Sequence, residues 1–453
     1  MNTSVIELVY DRGTIVLKGS VFAPPSFFKW DERVKSYRAL AFRYWETVTF
    51  LKKWNANFRD NVLDLQTGKI KLLKTIKLRN YQKEALENWV KAGKKGVVVL
   101  PTGAGKTLVA VAAINFLSMP SLVVVPTLEL MDQWEKVLGK YFSVGIGRFG
   151  GGRKDIEFLT IATYDSAYLN AEFLGNKFML LIFDEVHHLP SPGYRQIAEL
   201  NAAPYRLGLT ATPEREDNLH LDLGYLVGPV VYRRSPRELA GRYLADFDIV
   251  KVRVKLSDEE REKYFELVDK YKRYLSSRGI KIRSIRDFEK LIMRSGLDKE
   301  AREALLAWLE ARRIAFNAAA KIEVLKGILA KHRGERIIIF TENNEIVRKI
   351  SLNFLIPEIT YKTSDEERRL IMEKFRKGEI NAVVTSKVLE EGVDVPEANV
   401  AIVLSGTGSR REFIQRLGRI LRPKKGKRAV LYEIVTAGTA ETRVSRKRRK
   451  GVS

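Results

Sequence analysis

The segment that most constrains this chain is residues 100–107, which read Leu-Pro-Thr-Gly-Ala-Gly-Lys-Thr. A short apolar, β-branched run precedes it at residues 96–99, and an apolar run of helical character follows it at residues 108–113. This order predicts a buried strand, a glycine-containing loop and a buried helix. It is the order that a phosphate-binding loop requires, because the helix N-terminus then faces the anion.

The residues of this loop have physical reasons to bind a nucleotide. Gly103 and Gly105 let backbone N–H groups approach a polyphosphate, Lys106 would contact its terminal phosphates, and the Thr107 hydroxyl would bind magnesium. The strict G-x-x-x-x-G-K-S/T pattern fails at its first position, Leu100, so an ordinary strand-to-helix turn is the alternative. The other residues predicted to line the nucleotide are Pro101, Thr102 and Ala104.

The charge balance of the chain favours a polyanionic partner. The 453 residues include 80 Lys and Arg against 55 Asp and Glu, so the formal net charge is +25. Such an excess attracts a polyanion over long distances and releases counterions on binding, so nucleic acid is the leading partner. The alternatives are a generally basic surface and a membrane surface, and the second is disfavoured because no terminal segment predicts a strongly amphipathic basic helix.

Composition excludes several classes of protein. There is no Cys, which excludes disulfides, thiolate zinc sites and iron–sulfur clusters. No run approaches the roughly 20 apolar residues of a membrane span, and the N-terminus lacks the cationic start and apolar stretch of a signal peptide. We therefore expect a soluble protein of the cytosol or the nucleus, with about three domains by its length.

Residues 1–72 predict a small α+β domain. Apolar runs at residues 5–10 and 14–17 flank Asp-Arg-Gly and predict a β-hairpin, and two aromatic-bearing helices are expected next. The rings of these helices are Tyr37, Phe42, Tyr44, Trp45, Phe50, Trp54 and Phe58. Basic residues are interleaved with the rings, so stacking on bases is one role. A core is the favoured role, because a small domain needs the area that aromatic rings bury.

From residue 73 the sequence predicts two successive α/β domains. Apolar strands separated by helical segments are typical of a parallel sheet that helices cover on both faces. In the first domain, residues 73–236, strands are expected at 97–100, 121–126, 158–164, 178–184 and 205–210. In the second, residues 237–453, they are expected at 336–341, 381–385, 400–404 and 429–432, without a second phosphate loop.

An insertion at residues 256–316 is predicted to be helical throughout. Ser257 and Glu260 form a capping box at its start, and its outer face is basic and includes Lys272 and Arg273. A charged helical face is usually only solvated, but the net charge of this chain makes phosphate contacts an equal alternative.

Residues 443–450 form a basic run at the end of the chain. The run predicts a disordered tail, because like charges repel one another. Such a tail would hold nucleic acid or act as a nuclear address, and the first role is favoured.

Two carboxylates end the strand predicted at residues 178–184. Asp184, at the tip of a parallel strand, would face the crevice where ligands bind and would hold magnesium directly or through water. Glu185 would orient and deprotonate the water that attacks a γ-phosphate. The alternative is an acidic strand end that faces solvent or caps a helix. The adjacent His187 and His188 predict no metal site, because no plausible third ligand lies nearby.

Five segments in this order resemble the motifs of superfamily 2 helicases, and they span about residues 75–435. They are Leu-Arg-Asn-Tyr-Gln at 78–82, the phosphate loop at 101–107, Asp-Glu-Val-His at 184–187, Thr-Ala-Thr at 210–212 and Gln-Arg-Leu-Gly-Arg-Ile-Leu-Arg at 415–422. The resemblance implies two RecA-like domains that close on Mg-ATP, with ATP and Mg²⁺ as the cofactors.

Within this superfamily, two features resemble the XPB type, the helicases of DNA repair and transcription opening. Arg215, Glu216 and Asp217 follow Thr-Ala-Thr-Pro-Glu and resemble the Arg-Glu-Asp loop of that group. The basic helical insertion resembles its thumb. The N-terminal domain resembles the damage-recognition domain of archaeal members by its position and size, and not by a motif.

The resemblance also implies roles for individual residues. Gln82, next to the aromatic Tyr81 and close to Arg79, is similar to the glutamine that contacts adenine. Gln415, Arg419 and Arg422 are similar to the family's residues that contact the phosphates or neutralise their charge. Gly392 and Asp394 are expected near the rest of the nucleotide. The residues implied to contact DNA or to couple it to the nucleotide are Pro126, Thr127, Thr163, His187, Thr210, Thr212, Arg215, Glu216, Asp217, Lys272, Arg273 and Thr385.

Three hypotheses of function follow from these patterns. The leading one, implied by the resemblance, is an ATP-dependent DNA translocase and helicase with 3′-to-5′ polarity, in nucleotide excision repair or promoter opening. The second is an RNA helicase or a restriction-type translocase, and the third is a damaged-DNA recognition module whose ATPase only gates binding. The expected partners are single-stranded, forked or distorted DNA and a repair nuclease or transcription factor, with no membrane. The expected location is the cytoplasm and nucleoid of an archaeon, or the nucleus of a eukaryote.

Overall fold

The computed structural model describes residues 6–19, 24–215, 217–386, 398–406 and 428–449. The chain divides into two compact units, one that ends at Leu239 and one that begins at Ala240. Each unit contains one large, mainly parallel sheet, so the expected α/β class is confirmed. Among the described helices, none combines the length and the apolar composition that a bilayer span requires.

The first unit begins with a small mixed sheet. Its elements are β1 (Ile6–Asp11), β2 (Thr14–Lys18), β3 (Lys29–Asp31), β4 (Ser36–Leu40), α1 (Tyr44–Lys53) and β5 (Phe58–Asn61), and the strand order is β3-β4-β2-β1-β5. β1 and β2 form the expected hairpin, with Asp11 opposite Thr14. The expectation of two aromatic-bearing helices is wrong, because Tyr37 lies in β4 and Phe58 in β5. β4 pairs with both β2 and β3, and this pairing outweighs local helical preference.

The small sheet and α1 share a hydrophobic core. Leu8 and Ile15 of the hairpin are buried together with Leu51 of α1. Tyr44 is also buried, and its hydroxyl donates a hydrogen bond of 2.8 Å to Asp60 Oδ2. Trp54, by contrast, is 66% exposed. The aromatic side chains of this region therefore divide between the core and the surface.

The rest of the first unit is an eight-stranded sheet with its helices. The strands are β6 (Lys95–Val99), β7 (Ser121–Val125), β8 (Ile146–Gly150), β9 (Arg153–Lys154), β10 (Leu159–Thr163), β11 (Leu180–Asp184), β12 (Tyr205–Thr210) and β13 (Val230–Arg233). The helices are α2 (Asn80–Lys91), α3 (Lys106–Leu117), α4 (Leu128–Tyr141), α5 (Tyr164–Leu169), α6 (Ala171–Leu174), α7 (Arg195–Glu199), α8 (Leu223–Leu226) and α9 (Pro236–Leu239). The strand order is β13-β6-β12-β11-β7-β10-β8-β9, and only β8 and β9 pair antiparallel.

The apolar runs of the sequence correspond to the central strands of this sheet. Every residue of β7, β10 and β11 is buried, as expected for parallel strands covered on both faces. β8, β9 and β13 were not expected, since none of them contains a long apolar run. The carboxyl ends of β6, β11 and β12 meet at one edge, which is where ligands bind in sheets of this kind.

Aromatic and basic side chains join the small sheet to the large one. The rings of Phe42 and Tyr225 make an edge contact with centroids 4.7 Å apart, and the Arg43 guanidinium carbon lies 5.8 Å from the Tyr225 ring centroid. The Tyr10 hydroxyl donates a hydrogen bond of 2.6 Å to the Glu172 carbonyl. These contacts hold the two sheets in one compact unit.

The second unit is built on a six-stranded, wholly parallel sheet. Its elements are β14 (Asp246–Val254), α10 (Asp258–Ser277), α11 (Ile285–Ser295), α12 (Lys299–Phe316), α13 (Ala320–Lys331), β15 (Ile337–Phe340), α14 (Asn344–Phe354), β16 (Glu358–Ile359), α15 (Asp365–Lys377), β17 (Ala382–Thr385), β18 (Val400–Val403), β19 (Arg428–Thr436) and α16 (Ala440–Arg449). The strand order is β14-β19-β18-β15-β17-β16. The core residues come from the central strands and from α13 and α14.

The helical insertion consists of α10, α11 and α12 with short connections between them. Its first helix begins with the expected capping box, in which Glu260 N–H donates to Ser257 Oγ and Ser257 N–H donates to Glu260 Oε2. Tyr271 stacks on Trp308 with ring centroids 5.1 Å apart, which packs α10 against α12. The insertion therefore has a core of its own.

The expectation of a disordered tail at residues 443–450 is wrong for the described part of this run. That part lies in helix α16. Glu441 in the first turn is fully buried, and Val444 packs against the core that α10 and α12 share. Burial of the first turns of the helix outweighs the repulsion among the basic residues that follow.

Candidate active site

The phosphate loop lies between β6 and α3, at the carboxyl edge of the eight-stranded sheet. Gly103 and Gly105 have φ angles of +81° and +74°, which L side chains rarely adopt. A Cβ atom on Gly105 would lie 2.6 Å from Gln82 Nε2, so this position also lacks space for a side chain. Lys106 is the first residue of α3, so the loop runs directly into a helix N-terminus.

The first turn of α2 and its N-cap, Arg79, support the loop. Gln82 is buried, and its amide Nε2 donates to the carbonyl oxygens of Ala104 and Gly105 at 3.0 and 3.3 Å. Its Oε1 accepts a hydrogen bond of 2.9 Å from Arg79 N–H, and the Tyr81 hydroxyl donates to the Ala104 carbonyl at 2.7 Å. Both ends of the Gln82 amide are therefore engaged with the protein in this structure.

The two carboxylates sit at the end of β11, beside the loop. Lys106 Nζ lies 3.9 Å from Glu185 Oε1, and both side chains are largely buried. Glu185 has a φ angle of +46°, so the chain turns sharply after Asp184. Asp184 is buried as the last residue of β11, and Glu185 N–H donates to its Oδ1 at 3.0 Å.

Two aromatic side chains that sequence reasoning missed hold Asp184 in place. The Trp134 indole N–H donates to Asp184 Oδ2 at 2.8 Å, and the Tyr164 hydroxyl donates to the Asp184 carbonyl at 3.0 Å. Burial raises the pKa of the Tyr164 hydroxyl well above its ordinary value, so it stays protonated as a donor. Trp134 lies in no motif and is 50 positions from its partner, and Tyr164 follows the predicted contact residue Thr163 but was not itself expected to meet Asp184.

His187 connects the carboxylates to the end of β12. Its Nδ1 lies 3.5 Å from Glu185 Oε2 and 3.2 Å from Thr210 Oγ1. The Thr210 hydroxyl donates to the Thr212 carbonyl and accepts from Thr212 N–H, which fixes the turn after β12. The structure thus brings together three of the residues expected to couple the nucleotide to DNA.

The next loop is held by Arg215. Its Nη1 donates to the His187 carbonyl at 2.7 Å, and its Nε and Nη2 form a fork with the Asp217 carboxylate at 3.0 and 2.7 Å. The hydrogen bond from Arg215 lowers the pKa of Asp217 to about 2, so the pair stays charged at neutral pH. His187 is therefore the residue that connects Glu185 to the Arg215 loop.

Other predicted contact residues cap helices or end strands. Thr127 and Thr163 are the N-caps of α4 and α5, and Pro126 directly follows β7. Thr385 ends β17 and is buried. Lys272 and Arg273 lie on an exposed face of α10.

The predicted residues outside the described part of the chain are Glu216, Gly392, Asp394, Gln415, Arg419 and Arg422.

The loop and its neighbours fit a magnesium nucleotide. Within the described residues, Thr102 Oγ1 is buried without a hydrogen-bond partner, which leaves a hydroxyl for a ligand at this edge. No cluster of three His, Asp or Glu side chains suited to a metal occurs in that part of the chain. Mg²⁺ does not need one, because it keeps several waters and binds one or two protein oxygens besides phosphates. Thr107 and Asp184 would supply these oxygens.

Three family models match successive parts of the chain. Residues 8–62 match the Xeroderma pigmentosum group B helicase damage recognition domain. Residues 75–215 match the type III restriction enzyme, res subunit, and residues 314–452 match the ERCC3/RAD25/XPB C-terminal helicase.

Similar proteins are found in archaea and eukaryotes. The DNA 3′-5′ translocase XPB2 of Sulfurisphaera tokodaii is 49% identical over 98% of this chain and 100% of its own length. The general transcription and DNA repair factor IIH helicase/translocase subunit XPB of Antonospora locustae is 30% identical over 87% of this chain. The chain matches 56% of the length of that second relative.

A solved structure supports the fold independently. The Pyrococcus furiosus Hef helicase domain aligns with 82% of this chain and 98% of its own, with a TM-score of 0.52 and 20% sequence identity. At this identity the likeness concerns the fold alone. The near full-length match to the Sulfurisphaera protein, together with the matching family models, shows that the chain belongs to the XPB family of superfamily 2 helicases.

Proposed function

We propose that this chain is an ATP-dependent DNA translocase and helicase with 3′-to-5′ polarity. The observation that carries the proposal is the meeting of Lys106 and Glu185 at one sheet edge, 3.9 Å apart and next to Asp184. Phosphoryl transfer needs a cation that binds the phosphates, a base that accepts a proton from the attacking water, and a carboxylate that holds Mg²⁺. The name of the Sulfurisphaera relative, a DNA 3′-5′ translocase, supports DNA as the track and 3′-to-5′ as the direction.

Each residue of this edge has one task in the proposal. ATP would supply the phosphoryl group, and bound Mg²⁺ would supply positive charge beside its oxygens. Lys106 and the N–H groups of the loop would bind phosphate oxygens, and Thr107 and Asp184 would hold the metal. Glu185 accepts a proton from the attacking water, and its Oε1 lies 3.9 Å from the ammonium group of Lys106.

Residues that lie outside the described part of the chain complete the proposed motor. We assign Gln415, Arg419 and Arg422 to neutralising charge on the γ-phosphate, and Gly392 and Asp394 to contacts near the nucleotide, as their likeness to the family motifs implies. Gln82, with Arg79, is assigned to the adenine base. In that case its amide would exchange a loop carbonyl for the base edge, because Nε2 donates to the loop in this structure.

The contacts of His187 support a route from nucleotide to DNA. Glu185 lies near His187 Nδ1, and the His187 carbonyl accepts a hydrogen bond from Arg215. A shift of Glu185 on hydrolysis would therefore change the position of the loop that contains Asp217. We assign this loop, together with Thr210 and Thr212, to strand contact or strand separation.

We further propose a role in DNA repair or promoter opening. The match of residues 8–62 to a damage recognition domain supports the first, and the relative named as a factor IIH subunit supports both. A protein partner, such as a repair nuclease or a transcription factor, belongs to this proposal.

Removing the indole N–H that donates to Asp184 should impair Mg²⁺-dependent ATP hydrolysis. Trp134→Phe keeps the ring but loses the donor to Asp184 Oδ2, so we expect Mg²⁺-dependent ATP hydrolysis to fall by about 10–100-fold. Steady-state hydrolysis measured across Mg²⁺ concentrations would show the loss. The matched control is Trp89→Phe, which removes a buried indole hydrogen bond to the Arg206 carbonyl away from the site. An equal loss in both variants would contradict a role of Trp134 at the metal.

The first test of the proposed function is steady-state ATP hydrolysis by the full chain, alone and with single-stranded DNA, duplex DNA, forked DNA or RNA. We expect strong stimulation by DNA and a loss of about 10²–10³-fold in Lys106→Ala. The control is Lys83→Ala, an exposed lysine on α2. Unwinding of duplexes with 3′ or 5′ overhangs then gives the polarity.

Other outcomes would select the other hypotheses. Stimulation by RNA but not by DNA would favour an RNA helicase. Tight binding to damaged DNA without unwinding, even at high protein concentration, would favour a recognition module. Hydrolysis indifferent to nucleic acid would contradict a motor formed by this chain alone.

A further inference from the structure

A buried ion pair lies at the carboxyl edge of the second sheet, outside every motif considered above. Lys321 of α13 and Glu441 of α16 are 2% and 0% exposed. Lys321 Nζ donates to both carboxylate oxygens of Glu441 at 2.8 Å and to the Leu404 carbonyl at 2.6 Å. Three donors of one ammonium group are thus used on two different segments.

Glu441 extends the contact to the end of the longest strand. Its Oε2 also accepts a hydrogen bond of 2.8 Å from Thr436 N–H, the last residue of β19. Leu404 directly follows β18, so the ion pair fixes the ends of two neighbouring strands. We call Lys321, Leu404, Thr436 and Glu441 the edge junction.

The edge junction is also bonded to the helical insertion. The Thr436 hydroxyl donates to the Ala315 carbonyl of α12 at 2.6 Å. Ala440 N–H, one residue before Glu441, donates to the Tyr264 hydroxyl of α10 at 3.0 Å. Both bonds are buried or partly buried, so a displacement of α10 or α12 cannot leave the strand ends unchanged.

A buried pair of this kind is weak evidence for stability, because desolvation of the charges offsets their attraction. It is better suited to fixing one geometry among the segments it joins. The segment that contains Arg419 and Arg422 follows Leu404 in the sequence. The edge junction therefore joins the helical insertion to the end of β18, the strand that precedes the proposed nucleotide contacts in the sequence.

We propose that Lys321 and Glu441 are positioning residues that couple the helical insertion to the carboxyl edge of the second sheet. The inference rests on the proposed function, in which Arg419 and Arg422 act in hydrolysis, and on the expectation from the sequence that Lys272 and Arg273 of the insertion contact DNA. Both side chains are almost fully buried, so the role assigned to them is indirect. Their role is to make any movement of the helical insertion require a movement of the carboxyl edge of the second sheet.

The test is the double variant Lys321→Met with Glu441→Leu in the full chain. Apolar replacements of similar volume remove both charges together, so no buried charge is left unpaired. We expect DNA-stimulated ATP hydrolysis to be largely kept, while the rate of forked-duplex unwinding falls by about tenfold. The matched control is Lys377→Met with Glu373→Leu, which removes an exposed ion pair on α15 of the same unit.

Three further measurements separate coupling from simple stability. The charge-swapped variant Lys321→Glu with Glu441→Lys should recover part of the unwinding rate. Amide hydrogen exchange should become faster at residues 258–277, 299–316 and 428–436 in the Met–Leu variant, and this readout needs no motor activity. Thermal unfolding reports whether the fold is kept.

The outcomes are distinguishable from failure of the proposed function. If the unaltered chain shows no DNA-stimulated hydrolysis, the proposed function fails, and hydrogen exchange alone decides whether the edge junction ties the insertion to the sheet. Unchanged exchange in the Met–Leu variant would overturn the inference. A parallel loss of hydrolysis, unwinding and thermal stability would also overturn it, because that pattern indicates a purely structural role.

Discussion

Replacing Glu185 by Gln should lower the rate of ATP hydrolysis by about 10²–10⁴-fold, the range expected for loss of a general base. Gln is nearly isosteric with Glu but accepts no proton at neutral pH. The amide also loses the attraction between Glu185 Oε1 and Lys106 Nζ, 3.9 Å away. Nucleotide binding should be largely kept, because the loop and Lys106 are unaltered.

The measurement is a single-turnover hydrolysis rate at saturating ATP, with nucleotide affinity determined separately. Glu87→Gln is the matched control, since Glu87 is a half-exposed carboxylate of α2 in the same unit. It should leave both quantities unchanged. Normal hydrolysis by Glu185→Gln would mean that another group accepts the proton, and the proposed assignment of Glu185 would be wrong.

Replacing Arg206 by Met should lower the free energy of unfolding of the first unit by about 3–5 kcal/mol, because several buried carbonyl groups lose their donor and each such loss costs about 1–3 kcal/mol. Arg206 is 2% exposed. Its guanidinium donates to the carbonyl oxygens of Ala198, Asn201, Ala203 and Leu226 at 2.6–3.3 Å. Burial lowers the pKa of Arg206 to about 10, so it remains charged at neutral pH.

The reason for so large an effect is the number of acceptors left behind. Met fills the space of the Arg206 stem but donates to none of the four carbonyls, and each buried acceptor without a donor is costly. The guanidinium carbon also lies 5.6 Å from the Phe42 ring centroid, so its loss weakens the junction of the two sheets. Arg206→Lys should be intermediate, because it keeps the charge but not the planar fork.

Urea unfolding followed by tryptophan fluorescence measures this loss. Arg153→Met serves as the control, because Arg153 is exposed on β9 of the same unit. We expect its unfolding midpoint to match that of the unaltered chain. A midpoint for Arg206→Met that also stays unchanged would show that water replaces the guanidinium at little cost.

The sequence was most informative where function and local structure depend on the same few adjacent residues. The loop from Pro101 to Thr107 needs a strand before it and a helix after it, and both are present as β6 and α3. Asp184 and Glu185 could be placed at a strand end because the run before them is wholly apolar. Apolar runs of four to six residues are strong signals for parallel strands, since these are buried on both faces.

Local pattern was insufficient where pairing between distant segments decided the structure. Tyr37 has the spacing of a helical residue, yet it lies in β4 between β2 and β3. The basic run after Arg443 predicts disorder by charge, yet its described part is helical because Glu441 is buried against Lys321. In both cases the competing contacts come from other parts of the chain, and composition within the segment does not report them.

By itself, the sequence determined the chemistry of this protein: the phosphate loop, the carboxylate pair, the basic charge and the family. Only the tertiary structure decided how these groups are held. Trp134 meets Asp184 across 50 positions, and Lys321 meets Glu441 across 120. The physical reason is that hydrogen bonds and burial depend on distance in space, whereas a sequence motif records only neighbours along the chain.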